Sequence, residues 1–431
     1  MLPLFNKKMK KNILIIGGGG REHAIAIALK KSPDVGKLYA IPGNAGMSEI
    51  CECHSNITAM KLDKIIDFIA SHPDIYLTMV APDDPLAAGL VDKLNAKGFR
   101  AFGPSQLAAE IESSKVFSKG FMARHNIPTA RYEAFDNFDL ALAYIKDHPL
   151  PLVIKADGLA LGKGVSICNT LVEAEAALKN TMQDLAFGSA GRSVVIEEFL
   201  TGFEVSVLAF CDGETVVPMV SASDYKRAHN GDAGLNTGGM GTISPSPSYT
   251  NDMAKIAMET IFLPTVKEMK SEGREFKGVL YFGLIICDGV PKVIEYNARF
   301  GDPETQVILP RLKTDLLEVF DACIDGTLDK INLQWEDNAT VCVCLASGGY
   351  PLNYNKGEEI SIGNNLDKDI TIYHAGTAID KNGKLVTNGG RVLNVVATAE
   401  NLVTARSIAY ANISKVYFKN MHYRTDIGLN R

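Results

Sequence analysis

Glu295, Asn297 and Arg299 stand at every second position of the segment VIEYNARFGDPETQ, residues 293–306. Val293 and Ile294 open it as a buried strand would, and side chains two apart on a strand share a face. A carboxylate, an amide and a guanidinium therefore form one row beside apolar neighbours. Burying such a row is costly unless something charged lies opposite it. Glu295 and Asn297 offer hard oxygen donors of the kind that suit Mg2+, and Arg299 presents a fork suited to a phosphoryl oxygen. A dication held against phosphates accounts for all three. The alternative is a solvent-facing strand with unrelated polar groups. Against it stands VLYFGLIIC (279–287), which predicts a partner strand well inside the core. Asp302 and Glu304 follow in the turn just beyond.

Three other groups have types and spacing that suit phosphate chemistry. Gly17-Gly18-Gly19-Gly20-Arg21-Glu22-His23 lies between an apolar strand and a helix, where backbone N–H groups and the helix dipole favour an anion. The last glycine of a G-x-G-x-x-G fingerprint is missing, since Glu22 or His23 fills its place, so a phosphate on a small ligand fits better than a dinucleotide. A tight packing turn is the alternative there. In IKADGLALGKG, Lys155 ends an apolar strand, and a loop with Gly158, Gly162, Lys163 and Gly164 follows. The spacing is not that of a P-loop, yet glycines let backbone amides approach a phosphate and lysines add charge. A surface hairpin is the plainer reading. Glu197 and Glu204 flank a strand-to-strand hinge, which could offer backbone groups to a purine edge and a carboxylate to ribose hydroxyls. Solvated carboxylates at strand ends are the commoner case.

These groups need elements to hold them. The first hundred residues alternate strand and helix: ILII (13–16), REHAIAIALKK, KLYAIPG (37–43), LDKIIDFIASH (62–72), IYLTMVAP (75–82), PLAAGLVDKLNAKG (85–98) and RAFGPS (100–105). Such alternation implies a parallel, doubly wound sheet. From Glu110 the pattern continues as one long helix through SSKVFSKGFMARHN, then strands at 151–158, 164–169, 193–200 and 203–213, with a helix at 172–182. HNGDAGLNTGGMGTISPSP (229–247) reads as an ordered, mobile loop. The last hundred residues carry short strands and one helix, ENLVTARSIAYANISKVYF, which suggests a small α+β or barrel-like module with no evident chemistry that braces the cleft.

Composition narrows the classes. At 431 residues, 46% hydrophobic and 22% charged, the chain is expected to form several globular domains. Its net charge of −6 argues against general affinity for nucleic acid or anionic membrane, so any anion site must be local. Eight cysteines are too few for a disulfide scaffold, and no apolar run approaches the ~20 residues of a membrane span. The cytoplasm is the expected compartment, with Met9 a candidate start and the first eight residues a dispensable leader. Cys51-Glu52-Cys53-His54 lacks zinc spacing. His125, His148 and His374 have no nucleophile beside them, and no G-x-S-x-G occurs.

A strand lysine, a glycine–lysine loop, a hinge and a Glu-x-Asn-x-Arg strand together resemble the ATP-grasp superfamily of carboxylate–amine ligases. GGGGREHA, PGNAG (42–46), PLAAG (85–89), FGPS (102–105), SSKVFSKGFMARHNIPTA (113–130), IKADGLALGKGV, IEEFLTGFEVS, NTGGMG (236–241), GVLYFGL and IEYNARFGDPETQ occur in order. From residue 12 to about 428 the chain resembles the glycinamide ribonucleotide synthetase family. That resemblance implies an α/β and α+β multidomain fold: an N-terminal doubly wound parallel sheet (9–110), an ATP-grasp domain (111–325) with a small lid subdomain (about 126–195), and a small barrel-like α+β C-terminal domain (326–431).

The same resemblance implies roles. ATP phosphates fall to Lys115, Lys155, Gly158, Gly162, Lys163 and Gly164, and adenosine to Glu197, Leu200 and Glu204. Mg2+ or Mn2+ falls to Glu295 and Asn297. Arg299, Lys226, Arg227 and Asp302 form the catalytic set. Glycine and 5-phosphoribosylamine fall to Gly18, Gly19, Gly20, Arg21, Glu22, Asn44, Asp83, Pro85 and the run Asn236, Thr237, Gly238, Gly239, Met240. The implied reaction is ATP-dependent ligation of glycine to 5-phosphoribosylamine through glycyl phosphate, by a monomer or weak homodimer with small-molecule partners only. Family members usually carry Gly-Pro-Glu at Ala81-Pro82-Asp83, His at Tyr225, Glu at Phe203 and Pro at Leu235, so no catalytic role is assigned to Tyr225. The alternatives are another ligase or carboxylase of purine or biotin metabolism, or a nicotinamide-dependent oxidoreductase. The broken fingerprint and the metal-suited strand speak against the last.

Overall fold

The computed structural model describes residues 10–159 and 164–429. Its first sheet has five strands in the order Glu52–Cys53, Val35–Pro42, Lys11–Gly17, Ile75–Val80, Ala101–Phe102, all pairs parallel. Ile13, Leu14, Ile15 and Ile16 are fully buried, as a central parallel strand with both faces covered requires. The chain leaves the central strand first to one side and then to the other. The crevice at the strands' carboxyl ends therefore opens beside Gly17, where ligands bind in such sheets.

The long helix expected from Glu110 is two helices, Gln106–Ser113 and Lys115–Arg124. Ser114 between them is extended (φ −132°, ψ 114°) and its hydroxyl accepts the Phe117 N–H at 3.0 Å. Apolar periodicity runs through this break, and the serine that caps the second helix is what the pattern conceals. Lys115 is thereby set in a first helical turn.

Two antiparallel sheets face the middle cleft. One takes the order Tyr132–Phe135, Val194–Glu198, Leu152–Ala156, Val165–Cys168; the other Val216–Pro218, Phe203–Asp212, Lys277–Cys287, Val290–Asn297. The segment expected as a mobile loop is more ordered than that. Ala233–Asn236 pairs with Arg227–His229, and Gly241–Ser244 enters a five-stranded sheet with Ser223–Asp224, Ala339–Ala346, Arg391–Ala399 and Ile370–His374. Glycines hid the pairing, because their lack of side chains removes the period-2 signal. The C-terminal helix covers Leu402–Ile413 and stops before the short strand Val416–Tyr417. Among the described residues no helix is long and apolar enough to cross a membrane.

Candidate active site

The strand Val290–Asn297 runs antiparallel to Lys277–Cys287, with Glu295 opposite Gly283 and Asn297 opposite Tyr281. The register shifts between Gly283 and Leu284: Leu284 faces Val293, and Ile294 is left over as a bulge. The bulge lets Val293 and Tyr296 both enter the core while Glu295 and Asn297 face the cleft. It also leaves the Ile294 carbonyl free to accept Lys155 Nζ at 3.2 Å. Opposite Glu295 the glycine has no side chain to crowd the carboxylate.

Arg299 lies just past the strand. Its Nη2 donates to Asn297 Oδ1 at 2.9 Å and pairs with Glu112 Oε1 at 2.9 Å, while Glu112 Oε2 accepts the Ala298 N–H at 2.7 Å. Arg299 Nε is buried and has no hydrogen-bond partner among the described residues. Such an orphaned cationic donor fits a site that receives an anion.

Cations from three further segments close on this strand. Lys155 ends the strand Leu152–Ala156 and is 4% exposed; its Nζ lies 2.8 Å from Glu197 Oε1. Lys119, also buried, sits 3.1 Å from Glu197 Oε2 and donates to Thr129 Oγ1 at 2.7 Å. Burial lowers the Lys119 ammonium to about 8 despite its carboxylate partner. Lys115 donates to the Gly158 carbonyl at 3.0 Å, held there because Asp157 Oδ1 accepts the Val116 N–H at 3.1 Å at the helix start. Burial pulls the Lys115 ammonium below its usual range. Lys226 Nζ lies 2.9 Å from Glu204 and 3.9 Å from Glu295; burial opposes its charge, but Glu204, Asp224 and Glu295 together hold its pKa well above the ordinary value. Glu295 in turn is desolvated, yet Lys226, Lys155, Lys115 and Arg299 keep its carboxyl below the ordinary carboxylate range.

Glu295 and Asn297 thus present two oxygen donors on one cleft face, one of them held ionised. Among the described residues no three of His, Cys, Asp or Glu converge as a metal cage. That donor set fits Mg2+, which takes one or two protein ligands and fills the rest of its shell with water and substrate phosphates.

The expected adenosine group divides. Glu197 is 4% exposed with both oxygens on lysines, so in this structure it orients Lys155 and Lys119. Leu200 lies in the hinge after Val194–Glu198, and Glu204, on the next strand Phe203–Asp212, faces Lys226. Gly158 (φ +136°) and Gly164 flank the loop, the Gly164 carbonyl accepting the Ala156 N–H at 2.8 Å, while Gly162 and Lys163 lie outside the described residues. Arg227 donates to the Gly234 carbonyl at 2.9 Å within its own hairpin. Tyr225 is buried against the C-terminal segment, its hydroxyl accepting the Gly428 N–H at 3.0 Å. In the turn, Tyr281 Oη donates to Glu304 Oε1 at 3.2 Å; burial, with Asp224 nearby, pushes the Glu304 carboxyl up to about 7.

Of the expected substrate residues, Gly18, Gly19, Arg21, Glu22 and Asn44 line a second cavity of about 420 Å3 at the sheet's crevice, while Gly20, Asp83, Pro85 and the run 236–240 do not. Gly17, Gly18, Gly19, Arg21, Glu22, Asn44, Pro82 and Asp302 line it, as do Ala375, Gly376, Thr377 and Asn388 from the C-terminal module. The helix Gly20–Lys30 starts here, but protein carboxylates meet part of its N-terminus: its own Glu22 Oε2 accepts the Gly19 N–H at 2.6 Å, and the distant Asp302 Oδ2 accepts the Arg21 N–H at 3.5 Å. Gly18 must be glycine, because a Cβ there would collide with the Gly43 carbonyl. The Asn44 amide donates to Gly18 O at 2.9 Å and His374 O at 2.8 Å, binding the glycine turn to the C-terminal sheet. Asp83 opens the short helix Asp83–Ala87, where Arg299 and Arg21 hold its carboxyl down against desolvation, and Pro85 is buried behind it. In the run 236–240, Asn236 pairs with Arg227 in the hairpin, and Thr237 Oγ1 donates to the Lys226 carbonyl at 2.7 Å. Gly238 and Gly239 face Arg391, and Met240 is core.

Sequence reasoning did not find Lys119, Glu112, Thr377 or Arg391. Lys119 carries a signal in hindsight, four positions after Lys115 on the same helix face. Glu112 lies far along the chain from Arg299, and Thr377 and Arg391 lie far from the glycine turn and from Asp302.

Two facing antiparallel sheets with cations over a carboxylate–amide pair, beside a doubly wound sheet, define a nucleotide-dependent ligase of ATP-grasp architecture. Family models for phosphoribosylglycinamide synthetase match its N domain at residues 11–112, its ATP-grasp (A) domain at 113–305 and its C domain at 340–430. The chain belongs to that family. A phosphoribosylamine–glycine ligase of Caldanaerobacter subterraneus subsp. tengcongensis is 48% identical over 416 residues, covering 96% of this chain and 99% of the relative. The crystal structure of phosphoribosylamine–glycine ligase from Thermotoga maritima is 36% identical with a TM-score of 0.82, covering 96% of this chain and 100% of that one. The fold alone is shared with the biotin carboxylase domain of the Hydrogenobacter thermophilus 2-oxoglutarate carboxylase, solved with MgADP: 16% identity, TM-score 0.74, over 96% of this chain and 92% of that one.

Proposed function

We propose that the protein ligates glycine to 5-phosphoribosylamine, cleaving ATP to ADP and phosphate, as a phosphoribosylamine–glycine ligase of purine biosynthesis. One observation carries the reading. Four cations from four chain segments, Lys226, Lys155, Lys115 and Arg299, act on the single carboxylate of Glu295. So much positive charge around one carboxylate is matched by a polyanion in the cleft, and a triphosphate supplies it.

In this reading Lys115, held on the Gly158 carbonyl, and Lys155 bind ATP phosphates, and the hinge near Leu200 and Glu204 receives adenosine. Glu197 aims Lys155 at the cleft. Glu295 and Asn297 would hold Mg2+, which would supply charge neutralisation of the phosphates. The glycine carboxylate oxygen attacks the γ-phosphorus, the bond to the β-phosphate oxygen breaks, and ADP leaves glycyl phosphate. Arg299 and Lys226 stabilise the moving phosphoryl charge, which is positioning and electrostatics rather than covalent catalysis. The phosphoribosylamine nitrogen, seated in the cavity at Gly18–Glu22, then attacks the acyl carbon. Phosphate departs, the amine sheds a proton, and the amide remains.

A coupled assay of ADP formation, omitting each substrate in turn, tests this. Full turnover is expected only with both glycine and phosphoribosylamine present. Turnover with bicarbonate in place of glycine overturns the assignment.

A further inference from the structure

The two half-reactions occupy different places: acyl phosphate forms over the strand Val290–Asn297, and the amine arrives from the cavity at Gly17–Glu22. One side chain ties the two places together. Arg391, the first residue of the strand Arg391–Ala399, bonds the C-terminal module to a segment that leads to each. Its Nη1 donates to the Gly238 carbonyl at 2.6 Å and to the Asp302 carbonyl at 2.7 Å, and its Nη2 lies 3.4 Å from Asp302 Oδ1.

Each partner leads to one half of the chemistry. Gly238 follows Thr237, whose hydroxyl and N–H both bond to the Lys226 carbonyl (2.7 and 2.8 Å), so Arg391 fixes the loop that seats Lys226 by Glu295. Asp302 lines the cavity, accepts the Arg21 N–H through Oδ2 and takes the Gln306 amide on Oδ1 at 2.8 Å. A Cβ on Gly238 would lie 3.1 Å from the guanidinium carbon, so glycine there is what admits the fork.

We propose that Arg391 is a positioning residue that aligns the amine cavity with the acyl-phosphate cleft, and so decides whether the amine or water receives the glycyl group. The inference rests on the ligase reading above. If the alignment slips, water adds to the acyl carbon and the bond to the phosphate oxygen breaks. Glycine and phosphate are released, the water's protons going to them and to solvent. ADP then accumulates without amide. A planar fork spanning a backbone carbonyl and a carboxylate is a task that lysine meets only in part.

The test measures ADP and amide together in the full chain. Wild type is expected to make one amide per ADP. Arg391→Met should lower amide per ADP by about tenfold, the scale of losing hydrogen bonds to a charged group. KM for the amine should rise while KM for ATP stays unchanged, and Arg391→Lys should recover part of the coupling. Asp302→Asn combined with Arg391→Met should cost less than the sum of the two, since the two side chains share a contact. A folded Arg391→Met enzyme that remains coupled, with unaltered KM for the amine, overturns the proposal. If that variant does not fold, Gly238→Ala, which crowds the guanidinium, takes its place with the same expected and overturning results. A wild type that makes no amide overturns the ligase reading and this one with it, whereas coupled wild type with coupled variant overturns only the role of Arg391.

Discussion

The cleft and the cavity are built on different physics. Around Glu197 the chain has buried opposite charges against one another, Lys119 and Lys155 sharing one carboxylate, and around Glu295 it sets half-exposed ones, Lys226 reaching two carboxylates. Around Gly18 neutral hydrogen bonds share the stitching with the Arg21–Glu22 pair: the Asn44 amide donates to the backbone carbonyls of Gly18 and His374, and the His23 Nδ1 accepts the His374 N–H at 2.9 Å. A charged network is rigid when complete and costly when one member goes. Neutral hydrogen bonds fail one at a time. In the proposed reading the cleft that confronts a triphosphate is prepared almost wholly with charge, and the cavity that seats the sugar mixes charge with neutral hydrogen bonds.

The largest effect should separate the two regions by stability alone. Glu197→Gln leaves Lys155 and Lys119 buried without their shared carboxylate, and should cost about 3–5 kcal/mol, the scale of breaking a buried ion pair. Asn44→Ala should cost about 1–3 kcal/mol, the scale of buried carbonyls losing their donor. Denaturant melts of both variants measure the gap, and equal losses would erase the distinction. The next effect is kinetic and confined to the cleft. Glu295→Ala and Arg299→Ala should each lower kcat by at least ~10²-fold with the fold retained, as when one electrostatic stabiliser is removed. Near-wild-type turnover in both would take the chemistry away from this strand.

The same contrast explains what the sequence disclosed. The cleft was legible because its groups are local: Glu295, Asn297 and Arg299 share one strand and its end, and Lys155 precedes its own glycine loop. Period-2 reasoning brought the row together, although the bulge at Ile294 that seats Lys155 left no mark in the pattern. The cavity was half legible. A strand running into glycines and a helix announced itself, but Asp302 and Thr377 come from segments that no spacing rule connects to Gly18. The strand Gly241–Ser244 was missed for a related reason, since its partner Ala339–Ala346 lies about a hundred residues on and only the folded sheet pairs them.

The smallest effect sharpens the comparison through pH. His23 and His374 are buried side by side where the cavity's helix meets the C-terminal sheet, their rings 5.7 Å apart. Burial, helped for His23 by the neighbouring imidazole, lowers them to about 3 and about 4, so both are neutral in the folded protein near pH 6. The unfolded chain protonates them near pH 6.5 and therefore binds more protons below that value. Stability is thus retained above about 6.5 and lost as pH falls toward 4, by about 1.4 kcal/mol per pH unit for each ring. Glu304, raised to about 7, holds its proton in the folded state over much of this range and acts in the opposite sense. The informative quantity is therefore a difference between two proteins. His374→Gln should show a stability-against-pH slope shallower than wild type by about 1.4 kcal/mol per unit between pH 6 and 5. The depressed carboxyls of Asp302 and Glu295 titrate below that window and leave the difference untouched. Identical slopes in urea melts would mean that the His374 ring is already charged, or open to water, in the native cavity wall.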